Sequence, residues 1–179
     1  KKELDSIDLP QCKILLTGNG KVAKGAKEIL NYLKIREVSV EDYLHHDFGE
    51  AVFCKIGVKD YNKNKDKKAF SFAEFVQEPE KFESNFRRFA RKTDFFIAGH
   101  FYAEGAPYLF TREDAKRQDF RINTIADISC DIDGPVASTI RPSSIAYPFY
   151  GYDPQNEEEV AFDDPEAITV MAVDNLPCE

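Results

Sequence analysis

Apolar positions along this chain fall into short unbroken runs, separated by stretches where they recur every three or four residues. Lys13-Ile14-Leu15-Leu16-Thr17 is one such run. It stops at Gly18, as a parallel strand buried on both faces does. Val22, Ala26, Ile29, Leu30 and Leu33 then recur at helical spacing, and a second strand is expected over 37–40. The opening segment therefore spells strand, glycine turn, helix and strand, which is one βαβ unit. Further strands are predicted over 51–56, 94–99, 122–129 and 167–173. Phe82, Phe86 and Phe89 line one face of a predicted helix, with Arg87, Arg88, Arg91 and Lys92 on its solvated face. Thr111-Arg112-Glu113-Asp114 reads as a helix start, with Thr111 as cap and acids in the first turn. The lysine-rich stretch 59–68 reads as a mobile surface loop, and 134–164 as an elaborated crossover. Strands alternating with helices predict an α/β fold, a doubly wound and mostly parallel sheet with helices on both faces.

Composition narrows the function classes. A length of 179 residues with 42% hydrophobic residues and 15 phenylalanines suits one domain with a proper core, and no internal boundary is visible. A net charge of −8 argues against a nucleic-acid partner, which needs concentrated positive charge. No apolar run reaches bilayer-spanning length, so no membrane role and a cytoplasmic location are expected. Cys12, Cys54, Cys130 and Cys178 form no Cys-x-x-Cys pair and read as buried reduced thiols. His45-His46 read as surface residues, and Asp131 with Asp133 lack further acids in register, so no metal is expected. Met171 is the sole methionine, and the chain reads as a domain excised from a larger enzyme.

The sharpest chemistry lies at Gly18-Asn19-Gly20-Lys21-Val22-Ala23, a G-x-G-x-x-A pattern between a predicted strand and helix. The first glycine makes the tight turn and the second lets a pyrophosphate touch backbone. The small third residue lets helix and strand pack closely. Phosphates would sit on free N–H groups at the positive end of the helix dipole. Gly25 is expected to add close helix packing. A phosphate loop of the GxxxxGK[ST] type is excluded, because Ala23 and Gly25 occupy its glycine and hydroxyl positions. The pattern predicts a Rossmann-type site for a nicotinamide dinucleotide, NAD or NADP. Glu41 or Asp42, past the second strand, could accept from ribose hydroxyls and so favour NAD; equally, they could begin the next helix. Arg36 and the lysine-rich stretch leave NADP open. Ligands in such sheets lie outside the carboxyl ends of strands. There the sequence places Gly99-His100-Phe101-Tyr102, Asp127-Ile128-Ser129-Cys130-Asp131 and Asp174-Asn175-Leu176-Pro177. Any one of these groups could merely cap a loop. Their expected convergence at one sheet edge favours a site, with Asp131 the first choice to orient the nicotinamide or a substrate amine.

Thr17-Gly18-Asn19-Gly20-Lys21-Val22-Ala23-Lys24-Gly25-Ala26 resembles the nucleotide turn of the lysine-ketoglutarate reductase and saccharopine dehydrogenase family, relatives of alanine dehydrogenase and transhydrogenase. So do Leu109 to Ala115, Ala126-Asp127-Ile128-Ser129-Cys130-Asp131 (where the family commonly has alanine at Cys130) and Val173-Asp174-Asn175-Leu176-Pro177. Ser143-Ser144-Ile145 and Pro148-Phe149 also fit, and the likeness runs from Gln11 to Glu179. The resemblance implies an enzyme of lysine metabolism that reduces the imine of lysine and 2-oxoglutarate to saccharopine, or the reverse. It implies cofactor contacts from Gly18, Asn19, Gly20, Lys21, Val22, Glu41, Gly99, Asp127, Asp174 and Leu176, with Asp131 facing the substrate. The family's proton-transfer lysine and histidine belong to another domain, so the amino acid substrate would be shared with that domain and this chain would be inactive alone. A homodimer is compatible with the sequence. Residues 43–68 depart from the family pattern. Two other readings stay open: an alanine-type amino acid dehydrogenase domain, and a non-catalytic nucleotide-sensing module.

Overall fold

The computed structural model describes residue 7 and residues 9–174. Strand β1 (Lys13–Thr17) is buried along its whole length, and its alternating side chains feed two cores. Ile14 and Leu16 pack with Ala23, Leu30 and Ile35 on the side of helix α1 (Lys21–Tyr32). Leu15 points the other way, into the larger core around Tyr43, Cys54, Phe86 and Phe96. A run with no polar face is what a strand covered on both sides requires.

After α1 the chain forms β2 (Arg36–Glu37), α2 (Val40–His45) and β3 (Val52–Ile56). The second strand is shorter than the pattern suggests. Ser39 caps α2 by accepting from the Asp42 N–H at 3.0 Å, so Val40 begins a helix instead of ending a strand. Nor does β2 pair with β1: β3 lies between them, parallel to both. Burial in the folded chain accords with the order. Both residues of β2 are exposed and fit only a sheet edge, whereas β3 is an apolar run suited to the interior.

The stretch expected to be a mobile loop is ordered instead. It contains α3 (Val58–Tyr61) and β4 (Asn62–Asn64), and β4 pairs antiparallel with β5 (Phe82–Ser84) in a small second sheet. Alternation explains it: Asn62 and Asn64 turn inward, each 4% exposed, while Lys63 faces water. Between these strands lies α4 (Phe72–Gln77), where Phe75 joins Phe70 and Phe82 in an aromatic cluster with centroids 5.2–5.7 Å apart. The phenylalanine helix is likewise corrected. Phe82 sits in β5, and α5 spans only Arg87–Ala90. Phe82, Phe86 and Phe89 are all buried nonetheless, so the spacing reported burial at all three positions and the helix only from Phe86 on.

Strand β6 (Phe95–Ala98) returns to the far side of β1. Then come α6 (Arg112–Ala115), opened by the expected Thr111–Asp114 capping box, and β7 (Thr124–Asp127). The 134–164 segment carries β8 (Phe149–Asp153) and β9 (Glu158–Val160) before β10 (Ile168–Met171). The main sheet runs β2-β3-β1-β6-β7-β10-β8-β9, and only the β8–β9 edge is antiparallel. With α1 on one face and α2, α5 and α6 on the other, this is a Rossmann-type α/β sheet. Gly25 contributes no close packing, since a Cβ there would meet nothing within 4 Å.

Candidate functional site

From β1 the chain moves to one side of the sheet, then crosses back to β6 on the other. The two strands part at their carboxyl ends, where such sheets hold ligands. Gly18 fills this corner at φ 107°, a backbone that disfavours any side chain, and its N–H donates to Ile56 O at 3.0 Å. A Cβ on Gly18 would lie 2.3 Å from Gly99 O, so the ends of β1 and β6 touch through glycine. Gly20 is the opposite case. Its φ of −81° suits any residue, and a Cβ there would meet nothing within 4 Å. The fold needs Gly18 as glycine and makes no such demand at Gly20. What Gly20 keeps clear is the space in front of α1. That helix has no side-chain cap and no acid in its first turn, so its leading N–H groups stay open to an anion.

A cleft of about 530 Å³ opens there. Gly18, Asn19, Gly20, Lys21, Val22 and Gly99 line it, and α3 and α4 wall it with Tyr61, Phe72 and Val76. Phe72 is 63% exposed and the neighbouring Phe101 90%, an apolar rim suited to a flat ring. Where β3 ends against the turn, the Lys55 ammonium donates to Asn19 Oδ1 at 3.0 Å. A side chain on Gly57 would strike Asn19 Nδ2 at 2.5 Å, so the glycine that follows β3 leaves Asn19 its room. The nearby Asp60 carboxylate is taken up by the Gly57 N–H at 2.8 Å.

Other sequence-predicted residues are elsewhere. Glu41 and Asp42 occupy the first turn of α2, where Asp42 accepts from Ser39 and Glu41 sits 3.2 Å from His45. Because β3 displaces β2 to the edge, neither acid stands at the strand end beside the glycine turn. Asp127 is fully buried. One of its oxygens accepts from the Ser129 N–H, the Ser129 hydroxyl and the Cys130 N–H, and the other from Thr139 at 2.6 Å. It shapes the loop that presents Asp131, and it holds Cys130 at φ 52°. Asp131 is half-buried; burial and the nearby Asp127 raise its pKa above the usual carboxylate value. Asp174 is exposed, and with Asp127 and Asp131 it adds to the burial that pushes the Cys130 thiol up. Among the described residues, the cleft wall includes none of Glu41, Asp127, Asp131 and Asp174. Leu176 and Cys178 lie outside the described residues, whereas Cys12, Cys54 and Cys130 are free thiols.

His100, two residues past β6, also lines the cleft. It is 7% exposed, its Nδ1 lies 2.9 Å from Thr17 Oγ1, and its Nε2 is buried without a partner among the described residues. Burial pushes its pKa down to about 4, against the pull of Asp127, so the ring is neutral at ordinary pH. The sequence reading placed His100 at a strand end without assigning it a role. The available signal was a titratable ring directly after a glycine at the crossing of the sheet.

Together these features define a Rossmann-type α/β unit whose glycine turn opens a cleft at the switch point of its sheet. No family model matches the chain. It is similar to the alpha-aminoadipic semialdehyde synthase of Arabidopsis thaliana, 27% identical over 185 residues that cover 92% of this chain and 17% of that protein. It is also similar to the mitochondrial alpha-aminoadipic semialdehyde synthases of Mus musculus and Bos taurus, each 26% identical over 193 residues, covering 92% of this chain and 20% of theirs. The chain thus spans about a fifth of the length of these relatives. They bear out the resemblance to the lysine-ketoglutarate reductase and saccharopine dehydrogenase enzymes. No described helix is long and apolar enough to cross a membrane.

Proposed function

We propose that this chain is the NAD(P)-binding domain of an oxidoreductase of lysine metabolism, a part of a longer enzyme that forms or oxidises saccharopine. The observation that carries the reading is the uncapped start of α1 beside Gly20, open to the cleft where β1 and β6 part. Two glycines, a helix dipole and free N–H groups at that point suit a diphosphate bridge. The bound dinucleotide supplies or accepts the hydride. The chain's own residues hold the diphosphate at the α1 start, cover a flat ring with Tyr61, Phe72 and Val76, and exclude water along that apolar wall. Asp131, half-buried and raised in pKa, suits a contact with a substrate amine supplied from the domain that completes the enzyme.

The charges beside the turn favour the 2′-phosphorylated cofactor. Lys55 stands at the end of β3 and Lys59 follows it, while Asp60 is engaged by backbone. Glu41, the residue that favoured NAD, sits on α2 behind the edge strand. Calorimetric titration of NADPH and NADH into the chain tests both parts. NADPH should bind in the micromolar range, more tightly than NADH, and Lys55→Ala should weaken NADPH by about tenfold with little change for NADH. A preference for NADH that Lys55→Ala leaves untouched overturns the phosphate assignment. Heatless mixing with both cofactors overturns the dinucleotide reading itself.

A further inference from the structure

Imidazole Nε2 of His100 is a buried polar atom with no partner among the described residues, a condition that folded proteins rarely tolerate without a reason. Its surroundings supply one. The opposite nitrogen, Nδ1, is fixed by Thr17, the last and fully buried residue of β1, at 2.9 Å. The Thr17 hydroxyl has one other acceptor in reach, Ile97 O at 3.5 Å, a poor hydrogen bond by comparison. The better geometry has the hydroxyl donating to Nδ1, and a neutral ring then carries its proton on Nε2. The ring sits edge-on to Tyr61 with centroids 6.1 Å apart, so it is braced on a second side. The result is an oriented donor, held at the carboxyl end of β6, in the wall of the cleft that the glycine turn opens. Residues 99–103 around it carry no regular structure, so no helix or strand ladder fixes the backbone beside the ring.

We infer that His100 is a cofactor-binding residue of this cleft, whose Nε2–H donates to an oxygen of the dinucleotide's sugar–phosphate backbone while Thr17 fixes the ring. The inference rests on the dinucleotide reading and adds a named contact to it. An amide at position 100 separates the two nitrogens. Asparagine places its amide near the Nδ1 position and keeps the Thr17 bond, whereas glutamine reaches toward the Nε2 position and can still donate there.

The test is a nitrogen-15 NMR measurement of the imidazole in the full chain, titrated with NADPH, ADP-ribose and inorganic pyrophosphate, alongside calorimetric affinities for His100→Asn and His100→Gln. The Nε2 resonance should carry the proton in the free chain and move on saturation with NADPH. His100→Asn should weaken NADPH about tenfold, and His100→Gln should retain most of the affinity. A shift produced by pyrophosphate alone identifies a phosphate oxygen; a shift that needs ADP-ribose identifies a sugar hydroxyl. NADPH binding with the Nε2 resonance unmoved, or His100→Asn binding as tightly as the natural chain, overturns the His100 assignment and leaves the dinucleotide reading standing. Absence of all binding removes both. Should His100→Asn fail to fold, the resonance of the natural chain decides alone.

Discussion

Gly18 and Gly20 are two residues apart, yet the fold places a steric demand on one and not on the other, and alanine at each position separates folding from the proposed dinucleotide contact. At Gly18 the φ of 107° and a Cβ placed 2.3 Å from Gly99 O act together. Backbone strain of about 1–3 kcal/mol and overpacking of similar size sum to roughly 3 kcal/mol or more. That is a large part of a total stability of about 5–15 kcal/mol. At Gly20 the backbone is already in a region open to alanine, and the methyl group meets nothing within 4 Å beyond its own chain neighbours. Alanine there gains about 0.4–1 kcal/mol by restricting the unfolded chain. It gives back a few tenths to about 1 kcal/mol as a poorer N-cap than glycine. The two effects offset, so Gly20→Ala should match the natural chain to within about 0.5 kcal/mol in urea unfolding. Its affinity for NADPH should nevertheless fall by about 10- to 100-fold, the equivalent of one charge-assisted hydrogen bond from the helix start. Gly18→Ala should lose stability first, and affinity only as a consequence. Urea melts and calorimetry on both variants read these outcomes. If Gly20→Ala binds NADPH as the natural chain does, the diphosphate does not rest on that residue and the reasoning fails.

The remaining expectations concern stability. Asp127→Ala removes the acceptor of the Ser129 and Cys130 N–H groups and of the Thr139 hydroxyl, and should cost about 3 kcal/mol or more in urea unfolding. A loss under about 1 kcal/mol would show that water takes over those bonds. Because His100 has a folded pKa near 4 against an ordinary 6.5, the unfolded chain binds more protons between those values. The ring's share of stability is therefore complete above the upper value and falls as pH drops toward the lower, at up to about 1.4 kcal/mol per pH unit. Melts at about pH 7 and about pH 5 should show that slope, and His100→Asn should flatten it. Thr111→Ala breaks the capping box of α6 and should cost about 1 kcal/mol, read in the same melts.

Legibility in the sequence tracked how local the physics is. The run from Lys13 to Thr17, the helix after Gly20 and the Thr111 cap are set by neighbours a few residues away, and each stands in the structure as its pattern suggested. The order of strands was not legible. Whether Arg36–Glu37 or Val52–Ile56 lies against β1 depends on which buries more apolar surface, and the chain's linear order says nothing of it. That decision alone moves Glu41 away from the glycine turn and brings Lys55 to Asn19. The lysine-rich stretch misled for a related reason. Asn62 and Asn64 look like loop residues, yet they are buried because alternation turns them inward while Lys63 meets water. The aromatic spacing 82, 86, 89 fitted one long helix because burial on a strand and on the short helix α5 with its N-cap produced the same interval. The orientation of the His100 ring depends on Thr17, 83 positions away in sequence, and no local pattern joins them.

The contact between Gly18 and Gly99 has an evolutionary corollary. Most tight contacts between side chains can be relieved by trimming the opposing residue, which lets substitutions drift in pairs. Here two main chains meet with no side chain between them, so neither partner has anything left to trim. A methyl group acquired at position 18 therefore finds no suppressor by trimming on the opposite strand, and relief requires the two main chains themselves to move apart.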